Sequence, residues 1–137
     1  MRMVSRYLQI FMTYSSPPNS VLRIAIVGPC SSGKSSLRKA LNQAGYTNIR
    51  NPSQEHTEIQ DRWLRVGQPD ILIYLDVDYK NTLLRRPHID LGPQRIVKQK
   101  KRLEHALSHA DLYIDTNQLT ANQIAQKALS FLDSLGK

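Results

Sequence analysis

One eight-residue stretch constrains this chain more than any other part of its sequence: Gly28-Pro29-Cys30-Ser31-Ser32-Gly33-Lys34-Ser35. Its two glycines, its lysine and its last serine match the pattern G-x-x-x-x-G-K-[ST] at every fixed position. The glycines permit backbone conformations closed to other residues, so successive N–H groups can turn inward around an anion. Because short patterns also arise by chance, the flanking sequence has to decide whether this stretch binds one.

The flanking sequence has the required order, a strand before the stretch and a helix after it. Residues 21–27 form an apolar run rich in β-branched residues, which predicts a buried strand. Apolar residues then recur at helical spacing from Leu37 to Ala44, and Gly45 marks a helix end. The alternative is a plain glycine-rich turn with an exposed lysine. That alternative does not explain why lysine and serine directly follow the second glycine.

The residue types predict how a nucleoside triphosphate would be held. Backbone N–H groups and the positive end of the following helix would surround the phosphates. Lys34 would reach the β- and γ-phosphates, and the Ser35 hydroxyl would bind Mg²⁺. We therefore expect ATP or GTP, together with Mg²⁺, as the ligand. The predicted nucleotide-binding residues are Gly28, Pro29, Cys30, Ser31, Ser32, Gly33, Lys34, Ser35 and Ser36.

The composition indicates a globular protein of the cytoplasm. Its 137 residues fit one domain, and 40% hydrophobic against 22% charged residues is enough for a packed core. The single cysteine excludes an internal disulfide framework, which favours a reducing compartment. Because no apolar run approaches the roughly 20 residues that span a bilayer, we expect no membrane partner.

The chain divides at residue 20 into two parts. Residues 1–20 carry a weak apolar stripe and a Ser/Pro-rich end, so we expect a flexible N-terminal arm, and Met12 could be the natural start. Residues 21–137 form the expected nucleotide-binding domain. Four alternating strand and helix signals predict an α/β fold, a three-layer αβα sandwich with a parallel sheet of about four to five strands.

Acidic residues in two places could act beside the bound phosphates, either by orienting water or by holding Mg²⁺. Residues 53–67 read as a helix that carries Glu55, Glu58 and Asp61, where a carboxylate could orient water or simply be solvated. Asp76 ends a strongly apolar strand, a position from which an aspartate can hold Mg²⁺, so Ser35 and Asp76 are the predicted metal ligands. An acid near a strand end can instead cap the next helix, as Asp78 is placed to do.

The net charge of +8 is concentrated between residues 85 and 105, where seven basic residues accompany two acids. Arg85 and Arg86 precede a loop that contains proline and glycine. Arginines in such a loop are suited to binding a phosphoryl group during its transfer. Residues 94–110 predict one long helix with a basic outer face. Nucleic-acid binding through residues 94–105 is the weakest alternative, because interleaved aromatic residues are absent.

The chain resembles the small-molecule and nucleoside monophosphate kinases of the P-loop class, such as shikimate, adenylate and thymidylate kinases. Besides the glycine-rich stretch, residues 69–86 are similar to the strand and helix that lead into this family's arginine-bearing lid. Residues 110–116 and the helix after them are similar to its last strand and helix. The resemblance covers about residues 21–135. It implies a P-loop NTPase fold, with Lys34, Arg85 and Arg86 as catalytic residues.

The resemblance leaves two functions open. The main expectation is a small kinase or NTPase that transfers the γ-phosphate to an unidentified small-molecule acceptor or hydrolyses it. The interval between Ser35 and Asp76 is shorter than in those kinases, however, and contains no acceptor-binding insertion. The alternative is a nucleotide-binding regulatory module with little turnover that acts through a protein partner. No Asn-Lys-x-Asp sequence supports guanine specificity of the GTPase kind.

Overall fold

A parallel sheet lies at the centre of the protein, whose computed structural model describes residues 21–135. The predicted arm, residues 1–20, lies outside this range. The sheet has four strands in the spatial order β2-β1-β3-β4, all paired in parallel, as the α/β prediction required. The strands are β1 (Ile24–Val27), β2 (Ile49–Arg50), β3 (Ile71–Asp76) and β4 (Leu112–Asp115).

Six α-helices and one 3₁₀ turn accompany these strands in the described part of the chain. None of these helices has the length and apolar character needed to cross a membrane. The helices are α1 (Lys34–Gln43), α2 (Arg62–Arg65), α3 (Tyr79–Arg85), α4 (Pro93–Arg102), α5 (Glu104–His109) and α6 (Ala121–Leu135), and the 3₁₀ turn spans Gln54–His56.

Both faces of the sheet are covered by helices, and each face has its own apolar core. Successive side chains of a strand point to opposite faces, so β1 contributes Ile24 and Ile26 to one core and Val27 to the other. The first core also contains residues of α1 and α6, and the second contains Trp63 and Leu103. This arrangement is consistent with the predicted αβα sandwich and explains why the strands are apolar throughout.

The helix predicted over residues 53–67 is wrong, because this segment forms only the 3₁₀ turn and the four-residue α2. Ser53, the first residue of this segment, has a φ of 54° and makes no side-chain capping bond. The buried Gln54 side chain instead hydrogen-bonds the Ile59 carbonyl and the Trp63 N–H, which holds the chain in a tight non-helical path. Glu55 therefore lies in the 3₁₀ turn rather than on a solvated helix face.

The single basic helix predicted after Pro93 is two helices, α4 and α5, which meet at the fully buried Leu103. Side chains from the segment after β2 donate hydrogen bonds to the carbonyls of Lys101 and Arg102. The break rotates α5 about its axis relative to the orientation that one continuous helix would have. Ala106 is therefore buried, whereas Leu107 is 45% exposed.

Two helix caps position the loops at the carboxyl edge of the sheet. The Asp78 side chain accepts the Asn81 N–H at the start of α3, which confirms the capping alternative for this acid. At the start of α6, Gln123 and Thr120 exchange the two hydrogen bonds of a capping box.

Candidate functional site

Residues 28–35, here called the glycine loop, connect β1 to α1 at the carboxyl edge of the sheet. Its two glycines are needed for different reasons. A Cβ on Gly28 would lie 2.1 Å from the Leu75 carbonyl oxygen, so no larger residue fits against β3. Gly33 adopts a φ of 103°, a conformation that favours glycine, directly before α1 begins at Lys34. The motif residues therefore form a tight strand-to-helix turn.

Lys34 folds back across the glycine loop and is only 9% exposed. Its Nζ donates hydrogen bonds to the carbonyl oxygens of Gly28 at 2.7 Å and Pro29 at 2.9 Å. The same nitrogen lies 3.1 Å from Glu55 Oε2. A buried positive charge thus lies beside the N-terminus of α1, where the helix dipole is also positive.

Glu55 is the residue whose importance the sequence pattern understated. It follows β2 in the 3₁₀ turn and is 4% exposed. Its Oε1 is buried and has no hydrogen-bond partner among the described residues. A buried carboxylate oxygen without a donor is costly, so such an atom indicates a place for a cation or a proton donor. In the sequence, only its position shortly after β2 distinguishes Glu55 from the other acidic residues.

A polar cleft of about 230 Å³ opens at the end of the glycine loop. It brings together Lys34 and Ser35 with Glu55 and Arg86, which come from separate parts of the chain. Ser35 and Ser36 are exposed in this cleft, whereas Pro29 and Ser32 are buried inside the loop. The remaining lining residues are Cys30, Ser31, Gly33, Ser36 and Asn51.

Asp76 does not line this polar cleft. Its carboxylate accepts the Tyr113 hydroxyl at 2.6 Å and the Val77 N–H at 2.9 Å, and it lies 3.3 Å from Lys100 Nζ. Burial and the hydrogen bond to Asp76 both raise the pKa of Tyr113. Both carboxylate oxygens of Asp76 are therefore engaged on the α4 side of the sheet edge.

The two candidate arginines differ in their contacts. The Arg85 guanidinium donates to the Ser31 carbonyl at 2.7 Å and to the Thr116 carbonyl at 2.6 Å, which ties the glycine loop to the end of β4. Burial lowers the pKa of Arg85, and the charge of Asp78 opposes this shift. Arg86 is exposed and lines the polar cleft. Arg85 thus braces the loop, while Arg86 reaches its open side.

A second cleft, of about 160 Å³, adjoins the glycine loop next to α6. It shares Ser31, Gly33 and Ser36 with the polar cleft, and Arg85 closes one side of it. The rest of its lining is apolar and comes from α1, α6 and the segment before α6, namely Leu37, Leu119, Ala121 and Ile124. The glycine loop therefore separates a polar cleft from a more apolar one.

The basic face of α4 is partly neutralised within the protein. Arg102 Nε lies 2.7 Å from Glu58 Oε1, and this hydrogen bond lowers the pKa of Glu58. Lys100 pairs with Asp76, as described above. Arg95, Lys98 and Lys101 remain exposed. The outward positive surface is therefore smaller than the sequence indicates.

Gln99 is a second residue that the sequence analysis missed. It lies on the inner face of α4, is 1% exposed, and accepts the Cys30 N–H at 2.9 Å. The signal in the sequence was its position three residues after the buried Ile96, which places the two side chains on the same face of the helix. A polar side chain at an apolar position indicates a specific buried contact.

No known family model matches this sequence, and a search of curated proteins found no similar one. The residues of the site itself are therefore the indicators of function.

Proposed function

We propose that this protein has a P-loop NTPase fold and binds ATP or GTP with Mg²⁺, and that it transfers or hydrolyses the γ-phosphate. The observation that carries the proposal is the buried Lys34 ammonium group, held by loop carbonyls at the start of α1. The ammonium group and the positive end of the α1 dipole lie together there, which suits a multiply charged phosphate chain. On binding, Lys34 would exchange the two carbonyls for phosphate oxygens.

We assign the metal-facing carboxylate to Glu55 rather than to Asp76. Glu55 lines the polar cleft beside Ser35, whereas the Asp76 oxygens are held by Tyr113 and Lys100. Ser35 would bind Mg²⁺ directly, and Glu55 would orient a metal-bound or attacking water once Lys34 turns to the phosphates. The bound ion would neutralise charge on the phosphate oxygens. Asp76 would then stabilise the sheet edge only.

The second cleft is the proposed site of the nucleoside. It adjoins the glycine loop on the side away from Glu55 and offers apolar surface from Leu37 and Ile124. The planar guanidinium of Arg85 borders the same cleft, and such a group stacks well on a flat aromatic ring. Nothing in the lining distinguishes adenine from guanine, so the proposal covers both nucleotides.

Arg86 is the proposed arginine for the transition state. Phosphoryl transfer needs charge stabilisation on several sides of the γ-phosphate, and Lys34 with Mg²⁺ supplies only part of it. Arg86 is exposed at the polar cleft and lies just before the segment of residues 87–92 that leads to α4. A side chain in this position can close on the phosphate without first breaking a buried contact.

The regulatory module with little turnover remains the second candidate, because of one specific observation. Between α1 and β3 the chain forms only β2, the 3₁₀ turn and the four-residue α2. The pocket between Cys30 and the start of α4 measures about 40 Å³, room for a few waters only. An acceptor would therefore have to be water, or a group presented from the open side by a partner.

Calorimetric titration of the full chain with ATP and GTP, with and without Mg²⁺, tests the proposal. Release of labelled γ-phosphate is then measured with water alone and with a panel of small hydroxyl acceptors. We expect Mg²⁺-dependent binding of triphosphate. Absence of binding to either nucleotide would refute the proposed function, and binding without any release would favour the regulatory module.

A further inference from the structure

A thiol, an imidazole and a carboxylate meet where the glycine loop touches the 3₁₀ turn. The ligand atoms of Cys30, Glu55 and His56 all lie within 4.8 Å of one another. Cys30 Sγ is 3.8 Å from His56 Nε2, and the same nitrogen is 3.6 Å from Glu55 Oε2. Thiolate, imidazole and carboxylate are the three side-chain ligands that zinc uses in proteins.

Two of the three separations agree with those of zinc ligands, and the third, between Cys30 Sγ and the Glu55 carboxylate, lies within 4.8 Å. Zinc bonds of 2.0–2.3 Å at tetrahedral angles place neighbouring ligand atoms roughly 3.4–3.6 Å apart. The measured separations of 3.6 and 3.8 Å differ from these values by a few tenths of an ångström. Side-chain adjustment alone would close the set, because His56 is exposed and Cys30 is partly exposed.

Two further features support a ligand at this point. Glu55 Oε1 is buried without a hydrogen-bond partner among the described residues, and Oε2 of the same carboxylate lies near the imidazole, so the carboxylate can still accept a cation. Gln99 holds Cys30 in place, since it accepts the Cys30 N–H and its Nε2 lies 3.2 Å from Sγ. An N–H donor directed at the sulfur would hydrogen-bond and orient a metal-bound sulfur, as the groups around metal ligands commonly do.

We propose that Cys30, Glu55 and His56 bind one Zn²⁺ ion, with water in the fourth position. Binding would release the thiol proton to solvent, and the thiolate and carboxylate would balance the charge of the ion. Lys34 would keep its bonds to the carbonyls of Gly28 and Pro29. The ion would fasten the glycine loop to the segment after β2. Soft sulfur and nitrogen ligands select against Mg²⁺, so the zinc ion would not take the place of the Mg²⁺ proposed at Ser35, although both sites would use the Glu55 carboxylate.

The site is tested on the full chain without nucleotide, by titration with Co²⁺ followed by Zn²⁺. Cobalt bound to a thiolate gives a charge-transfer absorption in the near-ultraviolet, and Cys30 is the only cysteine in the sequence. We expect one Co²⁺ per chain with this absorption, and its loss on displacement by Zn²⁺. A folded parent chain that shows neither the absorption nor one-to-one zinc binding would overturn the site, whatever its affinity for ATP.

Two variants test the cysteine and histidine ligands, and a third serves as the control. Cys30→Ser should abolish the absorption, and both it and His56→Asn should weaken zinc binding by more than the roughly 10–100-fold that changes outside a ligand set cause. His88→Asn is the control, because His88 is exposed on the segment after α3, and it should bind as the parent does. Circular dichroism checks that each variant is folded. Unchanged affinity in a folded Cys30→Ser or His56→Asn variant would contradict the assignment.

Discussion

Lys34 and Glu55 form a buried ion pair across the candidate site, with Nζ and Oε2 3.1 Å apart and both side chains less than a tenth exposed. They come from the start of α1 and from the turn after β2, and they meet because β2 lies beside β1 in the sheet. Loss of either partner leaves a buried charge uncompensated. In the proposed function, a phosphate that draws Lys34 away would leave Glu55 in need of another cation, a role that the proposed Mg²⁺ would fill.

Replacement of Lys34 by alanine should weaken the binding of Mg²⁺–triphosphate at least about 100-fold, which corresponds to roughly 2.7 kcal/mol. The loss follows from removal of the one side-chain cation inside the glycine loop. Calorimetry measures it, with Lys39→Ala as the control, since Lys39 is exposed further along α1. If Lys34→Ala binds triphosphate as tightly as the parent does, the central assignment is wrong.

The same variant should lower the free energy of unfolding by about 3–5 kcal/mol, because Glu55 keeps a buried charge without its lysine. Adding Glu55→Gln to Lys34→Ala removes that charge and should restore much of the loss. Urea denaturation at neutral pH compares the parent with the single and double variants. A double variant less stable than Lys34→Ala would show that packing, rather than the unpaired carboxylate, causes the loss.

The two arginines should give different kinetic results. Arg86→Ala should leave nucleotide affinity within about tenfold and lower turnover roughly 100-fold, as expected for a contact made mainly in the transition state. Arg85→Ala should instead lower affinity and stability, because it removes the link between Ser31 and Thr116. Single-turnover assays and thermal melts separate these effects. Equal behaviour of the two variants would refute this division of roles.

The cap at the start of α3 should depend on pH. Hydrogen bonds from the Asn81 backbone and side chain lower the pKa of Asp78 below its ordinary value of 3.8. Its contribution is therefore fully present above that value and is lost as the pH falls through the lower, folded-state pKa. Asp78→Ala should cost about 1 kcal/mol at pH 7 and clearly less near pH 2.

Denaturation of the parent and the Asp78→Ala variant at several pH values measures this change. Asp133→Ala serves as the control, because Asp133 is an exposed acid on α6. A difference between the parent and Asp78→Ala that stays constant down to pH 2 would mean that the Asp78 charge does not contribute to the cap.

Nucleic acid should bind weakly and without sequence preference. The exposed cations of α4 are Arg95, Lys98 and Lys101, since Arg102 and Lys100 are paired with acids. Filter binding to DNA and RNA should show retention that disappears as salt is raised and that falls further in the Lys98→Ala/Lys101→Ala double variant. Sequence-selective, submicromolar retention at physiological salt would contradict this prediction.

Features that depend on neighbours along the chain could be predicted from the sequence alone. The turn from β1 to α1 follows from its glycines and apolar flanks, and the caps at Asp78 and Thr120 follow from side chains that bond backbone groups three residues away. The parallel α/β sheet follows from alternating apolar runs, because strand and helix periodicities are local. The same local pattern also predicts that Lys34 and Ser35 lie where the glycine loop passes into α1.

Only the tertiary structure decided which distant residues complete the site. Glu55 lies against Lys34 because β2 pairs with β1, and Gln99 lies under Cys30 because α4 packs against the loop. Asp76 turns away because Tyr113 from β4 and Lys100 hold its carboxylate. These contacts depend on strand order and on helix breaks at buried residues, which arise from packing between segments far apart in the chain. A sequence pattern records spacing along one segment and carries no such information.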